Sequence, residues 1–141
     1  MLDIGINPTL KQRDLLYKNG INPTVYWPGD GYVVWGQLTS QSKPSALQDL
    51  NIVRLVLYCQ KAISNFSAYY IFEQNDAITW SKFNNEVLLF LNDVKRRRGL
   101  DSFSSKTYAT DYMKKTKTFA CDIQLTPTRT TEKISLSFFI T

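Results

Sequence analysis

Between Ile52 and Val94 the apolar residues recur every three or four positions, and beyond Gly99 they recur every two. That change of period confines the chain to two consecutive helices followed by a run of strands, an α+β architecture. In the first helical stretch, near residues 47–70, one face carries Ile52, Val56, Cys59, Ile63, Phe66 and Tyr70, with Arg54, Lys61 and Asn65 opposite. In the second, Thr79 is the expected N-cap, and Trp80, Phe83, Val87, Phe90, Leu91 and Val94 form the buried stripe. Lys95, Arg96, Arg97 and Arg98 occupy its last turn, where cations complement the helix dipole, and Gly99 is the expected stop. Phe103, Ser105 and Thr107 then predict a strand, and residues 109–118 a polar loop. Phe119, Cys121, Ile123 and Leu125 predict a second strand, ended by Pro127; Ile134, Leu136, Phe138 and Ile140 predict a third.

Ahead of this core, Thr9 caps a short expected helix over residues 10–18, and Asn19-Gly20 supplies a left-handed stop. Residues 21–27 and 32–36 read as strands on either side of the turn Pro28-Gly29-Asp30-Gly31, and residues 37–47 as a polar loop. The expected order is therefore α-β-β-α-α-β-β-β. A mixed or antiparallel sheet packs against two long helices, with a short N-terminal helix, in one domain over residues 1–141.

The chain has no histidine, which removes the commonest acid–base group at neutral pH and the commonest metal ligand. Serine–histidine and cysteine–histidine nucleophiles are thereby excluded within it. Cys59 and Cys121 are far apart in sequence and set among apolar residues, so they read as small core side chains in a reducing compartment, without a structural zinc site. Gly29-Asp30-Gly31 lies in a hairpin turn and not between strand and helix, where a phosphate loop would need it. Glu73 and Asp76 are close enough to act as an acid–base pair, but a turn and helix-entry cluster accounts for both. No cofactor is expected. No apolar run is long enough to span a membrane, and the N-terminus lacks the basic start and apolar run of a signal peptide. The residues thus point away from an enzyme and toward a binding or structural role.

Two features could carry such a role. Residues 95–133 hold ten Lys and Arg against four Asp and Glu, while the rest of the chain holds seven against eight. The densest part, Lys95 to Arg98, is either a solvated helix end or a dock for an acidic surface, whether phosphate backbone or acidic protein. No aromatic RNA-binding strand motif accompanies it. The second feature is residues 134–141. Ile134, Leu136, Phe138 and Ile140 make one face apolar, and Phe139 adds an aromatic opposite. Such a strand is either paired within its own sheet or added to the sheet of a neighbouring molecule.

Five stretches in order resemble the C-terminal domain of contractile phage tail sheath proteins. They are LKQRDLLYKNGINPTVYWPGDGYVVWGQLT (10–39), LNIVRLVLYCQKAI (50–63), YYIFEQND (69–76), FLNDVKRRRGLDSF (90–103) and CDIQLTPTRTTEKISLSFFIT (121–141). The chain departs from the family in having no proline in the turn at residues 72–76, a lone Arg54 where paired arginines are common, and residues 108–118 in place of an Asn-rich loop. Family members are also several times longer. The resemblance implies a structural subunit of a virion tail, assembled in the host cytoplasm into rings or a helical array around the tail tube protein. It implies strand exchange between subunits through Ile134, Leu136, Phe138, Phe139 and Ile140. For Lys95, Arg96, Arg97 and Arg98 it suggests contact with the tube. Other tail or baseplate proteins would be further partners. A sheath-capping or baseplate-collar protein of the same fold is the alternative, and a basic nucleic-acid-binding module is disfavoured.

Overall fold

The computed structural model describes residues 5–130, and the third predicted strand of the C-terminal third lies outside the described residues. The chain divides into two compact units at Tyr58/Cys59, within the first long helix.

In the first unit, helix α1 spans Leu10–Lys18. Thr9 caps it, and its backbone N–H donates to Gln12 Oε1 at 2.9 Å. At the other end Gly20 (φ 77°) takes the left-handed conformation, with Gly20 N–H on Tyr17 O and Ile21 N–H on Leu16 O, both at 3.0 Å. Strands β1 (Thr24–Trp27) and β2 (Gly31–Val34) form an antiparallel pair in which Val25 faces Val33 and Tyr26 faces Tyr32. The turn uses Pro28 and Gly29 (φ 98°), closed by Asp30 N–H on Trp27 O at 3.2 Å. β1 starts three residues later than the sequence predicts. Pro23 accepts from Trp35 N–H at 2.7 Å but has no N–H of its own to donate, and before it Asn22 spends its side-chain amide on Leu38, donating to its carbonyl at 2.7 Å and accepting from its N–H at 2.9 Å. Residues 37–47, predicted to be a polar loop, fold back on the helix entry: Leu50 N–H reaches Gln37 O at 2.7 Å, and Thr39 N–H reaches Gln48 O at 2.8 Å.

Helix α2 runs Leu50–Ser67 and ends in a tighter turn at Ala68–Tyr70. Its predicted stripe is the inner one: Ile52 and Cys59 are buried and Val56, Ile63, Phe66 and Tyr70 half-buried, while Arg54, Lys61 and Asn65 are exposed. Burial raises the Cys59 thiol above its ordinary pKa, so the group stays protonated and inert.

In the second unit, helix α3 spans Ala77–Arg96 and, of its predicted stripe, buries Phe83, Val87, Leu91 and Val94 and half-buries Trp80 and Phe90. Its N-cap is Asp76, not Thr79: Asp76 Oδ1 accepts the Thr79 N–H at 2.8 Å, and Thr79 itself is buried in the first turn. That bond, with smaller help from Ile78 N–H and Lys82, holds the Asp76 carboxyl below its ordinary pKa. A group lowered in the folded state stabilises above its unfolded pKa and loses that effect as pH falls through the folded value. Asp76→Ala is therefore expected to lower Tm by a few degrees at pH 7 and by almost nothing near pH 2; an equal loss at both values would assign the effect to something other than the charged cap.

Strands β3 (Leu100–Tyr108) and β4 (Ala120–Pro127) are antiparallel, with Phe103 opposite Leu125 and Ser105 opposite Ile123. Phe103, Ser105 and Thr107 with Cys121, Ile123 and Leu125 are the shielded set, and Ser104, Lys106, Tyr108, Asp122 and Gln124 are exposed, as the alternation predicts. Asn84 on α3 accepts from the Ser105 hydroxyl at 2.7 Å and the Thr107 hydroxyl at 3.4 Å, so the polar members of that set are satisfied. The architecture is α+β. Two features of the predicted plan differ among the described residues: the strands form two separate two-stranded sheets instead of one, and a short helix α4 (Asp111–Lys115) stands where a loop was expected. Thr110 caps α4 by accepting from Met113 N–H at 3.3 Å, a local signal overshadowed by the polar residues around it.

Candidate assembly surfaces

Nothing in the described chain converges as a catalytic site would. The Glu73–Asp76 pair is divided between turn and cap: Asp76 is occupied with the start of α3, and Glu73 is exposed in the turn before it. Cys121 is half-buried with Ser105 Oγ at 3.6 Å. Gly29 and Gly31 serve the hairpin turn.

The basic run sits where the sequence places it. Lys95 and Arg96 complete α3, Arg97 is its C-cap, and all four cations through Arg98 are exposed. Arg97 pairs with Asp93 at 2.9 Å, one turn back; such exposed pairs are worth only about 0.3–0.5 kcal/mol. Lys95, Arg96 and Arg98 have no carboxylate partner among the described residues. The left-handed residue that stops the helix is Arg98 (φ 65°), not Gly99. Gly99 N–H then reaches Val94 O at 3.1 Å and Arg98 N–H reaches Lys95 O at 2.9 Å, a Schellman cap shifted one residue toward the N-terminus. A side chain in this conformation costs roughly 1–2 kcal/mol. Arg98→Gly is therefore expected to raise stability by about 1 kcal/mol in urea unfolding, once the greater freedom of glycine in the unfolded chain is deducted. No gain would mean that Arg98 makes a compensating contact. The chain leaves β4 beside this run: Thr128 N–H meets Gly99 O at 3.3 Å, and its hydroxyl donates to Asp101 at 2.8 Å. The segment that leads toward residues 131–141 thus departs from the sheet end that bears the cations. Ile134, Leu136, Phe138, Phe139 and Ile140 themselves lie outside the described residues.

Two surfaces were not singled out from the sequence. In the first unit, Trp27 and Trp35 stack 4.8 Å apart and nearly parallel, with the Arg13 guanidinium 5.7 and 5.8 Å from the two rings. On the opposite face of the hairpin Tyr26 and Tyr32 meet edge to face at 5.3 Å. The Asn7 side chain accepts from Tyr26 N–H at 3.1 Å, occupying part of the β1 edge.

The other surface is the turn between α2 and α3. Phe72 is held at φ 75°, an outlier for a bulky residue, and its side chain is fully exposed (101%). Tyr69 and Ile71 beside it are also exposed. The turn is pinned from both sides. The Tyr70 hydroxyl donates to Glu86 at 2.7 Å, and Asn75 accepts from the Trp80 indole at 2.7 Å while donating to Thr118 O at 3.1 Å. Desolvation first, then the bond to the Glu86 carboxylate, pushes the Tyr70 hydroxyl up to about 12. Between this turn and the α4–β4 turn lies an open cleft of about 610 Å³, lined by Tyr70, Ile71, Phe72, Lys117 and Phe119 among others. Lys117, like Phe72 and Arg98, is a non-glycine residue in the left-handed region, at φ 56°. The periodicity could not show this site, because backbone conformation at a non-glycine turn residue leaves no hydrophobic pattern.

Comparison with known proteins agrees with this architecture. The profile of the phage tail sheath C-terminal domain matches residues 42–141. The chain is 33% identical over 132 residues to the tail sheath protein of Vibrio phage KVP40, covering 92% of this chain and 20% of that protein. It is 31% identical over 144 residues to the tail sheath protein of Enterobacteria phage T4, covering 100% and 22%. The chain thus spans about a fifth of the length of these relatives. Among solved structures, the cryo-EM structure of the anti-feeding prophage baseplate superposes with a TM-score of 0.86 at 19% identity, covering 99% of this chain and 41% of that one. A PVC sheath complex of an extracellular contractile injection system, in its contracted state, superposes with 0.84 at 20% identity, covering 97% and 42%. The profile takes in most of the chain and the phage relatives extend the likeness through α1 and the β1–β2 hairpin, so the chain belongs to the phage tail sheath C-terminal domain family.

Proposed function

We propose that this chain acts as a structural, non-catalytic subunit of a contractile tail sheath or sheath-like injection machine, in the virion tail, assembling into rings or a helical array around the tail tube. The observation that carries this reading is the likeness to phage tail sheath proteins over nearly the whole chain. In this reading residues 1–141 act as one domain, and subunits are joined by strand addition. The two sheets support it: among the described residues each has two strands, and a two-stranded ribbon gains most from a further strand. Ile134, Leu136, Phe138, Phe139 and Ile140 would supply that strand to a neighbour, with alternate side chains setting the register. Lys95, Arg96, Arg97 and Arg98 would meet an acidic tube surface. Removing residues 134–141 is expected to abolish rings and tubes in electron micrographs while leaving a compact domain; normal assembly from the truncated chain would refute strand addition. A role as a capping or baseplate-collar component is the second reading, favoured by the superposition on a baseplate structure. One ring of copies per particle would support it, and many stacked rings would support the sheath subunit.

A further inference from the structure

The β1–β2 hairpin combines the traits that make a strand edge adhesive. Its strands are rich in Val, Tyr and Trp, and residues 19–42 carry a single charge, Asp30, which lies in the turn. Tyr26, Tyr32, Val34 and Trp35 are exposed. Opposed residues of an antiparallel pair alternate between those that bond to each other through the backbone and those whose groups point away. Trp35 N–H on Pro23 O at 2.7 Å sets the phase: Val25 bonds across to Val33, while Thr24 and Tyr26 turn their peptide groups outward. One side chain takes up both groups of Tyr26. The Tyr26 N–H donates to Asn7 Oδ1 at 3.1 Å, and the Tyr26 carbonyl accepts from Asn7 Nδ2 at 3.4 Å. A carboxamide has the donor and acceptor of a peptide unit, so Asn7 makes the rung that a further strand would make. Its own backbone then runs through Pro8 into the Thr9 cap of α1, and so presents no new edge. The capping box of Thr9 and Gln12 fixes this approach, and one turn on Arg13 holds α1 against Trp27 and Trp35.

We infer that Asn7 is an edge guard: its side chain closes β1 against pairing with β1 of a second copy, an antiparallel contact that the uncharged, aromatic strand Thr24–Trp27 would otherwise favour. Lysines or prolines usually blunt such an edge, and here a single carboxamide stands in for them. The inference concerns a pairing that is refused, and it stands apart from strand addition by residues 134–141.

The test is hydrogen exchange and sedimentation velocity of the 141-residue chain, each over a concentration series. In dilute solution Asn7→Ala should speed exchange of the Tyr26 amide roughly five-fold, the factor that one net hydrogen bond is worth, with Leu91 in the buried stripe of α3 unchanged. As concentration rises, Asn7→Ala should form dimers at concentrations roughly ten-fold below any at which wild type does so, and protection of Tyr26 should return. Adding Thr24→Lys places a charge on the pairing strand of both copies; it should abolish the dimers while Tyr26 stays fast. Strand addition through residues 134–141 would occur in wild type and variant alike, so its success or failure is read separately. Unchanged Tyr26 exchange in Asn7→Ala overturns the guard. So does an opened edge that associates no more than wild type, or an association that Thr24→Lys leaves intact. Loss of protection at Leu91 as well would make Asn7 a support of the whole fold, and overturns it too.

Discussion

Phe83→Ala is expected to cost about 4 kcal/mol, within the roughly 3–5 kcal/mol found when a buried phenylalanine is cut back to alanine. Phe83 is 4% exposed and is the hub of an aromatic cluster. Its ring centroid lies 5.1 Å from Tyr70 and 5.4 Å from Phe119, both edge to face, and 5.8 Å from Phe66. One side chain of α3 thus joins the end of α2 to the start of β4. Truncation removes the ring's own burial and leaves three neighbours facing a void that they cannot fill without moving α2 or β4. With a urea slope of about 2 kcal/mol per M, the midpoint should fall by roughly 2 M at unchanged slope. Phe83→Leu keeps most of the volume but loses the edge-to-face contacts, and should cost about 1–2 kcal/mol. An alanine variant within 1 kcal/mol of wild type would show that the cluster collapses freely around the gap and does not hold these elements in register.

Gly36→Ala is expected to cost about 2 kcal/mol for a different reason. A methyl group at position 36 would stand 2.5 Å from Asn22 Oδ1 and 3.1 Å from its Cγ, closer than such atoms approach. The amide it would displace is the one that closes the first unit, donating to Leu38 O and accepting from Leu38 N–H. Each bond contributes about 1 kcal/mol net, and both backbone groups are part-buried, so losing the pair leaves them poorly solvated. Asn22→Ala should cost a similar amount. The two substitutions act on one interaction, so their effects should not add: a double-mutant cycle is expected to give a coupling of about 1–2 kcal/mol. Strict additivity would mean that position 36 is intolerant for some reason unrelated to Asn22.

What could be read in advance follows from how each feature is encoded. Burial leaves a periodic trace, so the stripes of α2 and α3 and the alternation of β4 were legible residue by residue. Caps were legible only in part. Thr9 stood alone as a candidate, but Asp76 and Thr79 are three residues apart and both good caps, and the longer reach of the carboxylate to the Thr79 N–H decides between them. Gly99 is the natural helix stop, yet Arg98 takes that conformation because the cap geometry is set by Val94 and Lys95, one position earlier. The division into two sheets was not legible, since alternation reports which face is shielded and not which strand lies alongside. The basic run was found because charge is counted directly. The cleft beside Phe72 was missed because it joins turns some 45 residues apart, drawn together by the Asn75–Thr118 bond, with a sequence separation of 43, and by Phe119 and Tyr70 on the shared Phe83 ring.

The hydroxyls of Ser105 and Thr107 on Asn84 have a mechanical corollary. Grease between a helix and a sheet resists peeling but lubricates gliding, because a methyl group is about as content against one neighbour as against the next. Hydrogen bonds are directional, and here two successive inward rungs of β3 share a single acceptor. To creep along α3 the strand must release both, in a part-buried space. The joint therefore behaves as a detent: a tug along β3 is handed to α3 as shear instead of being dissipated in slippage.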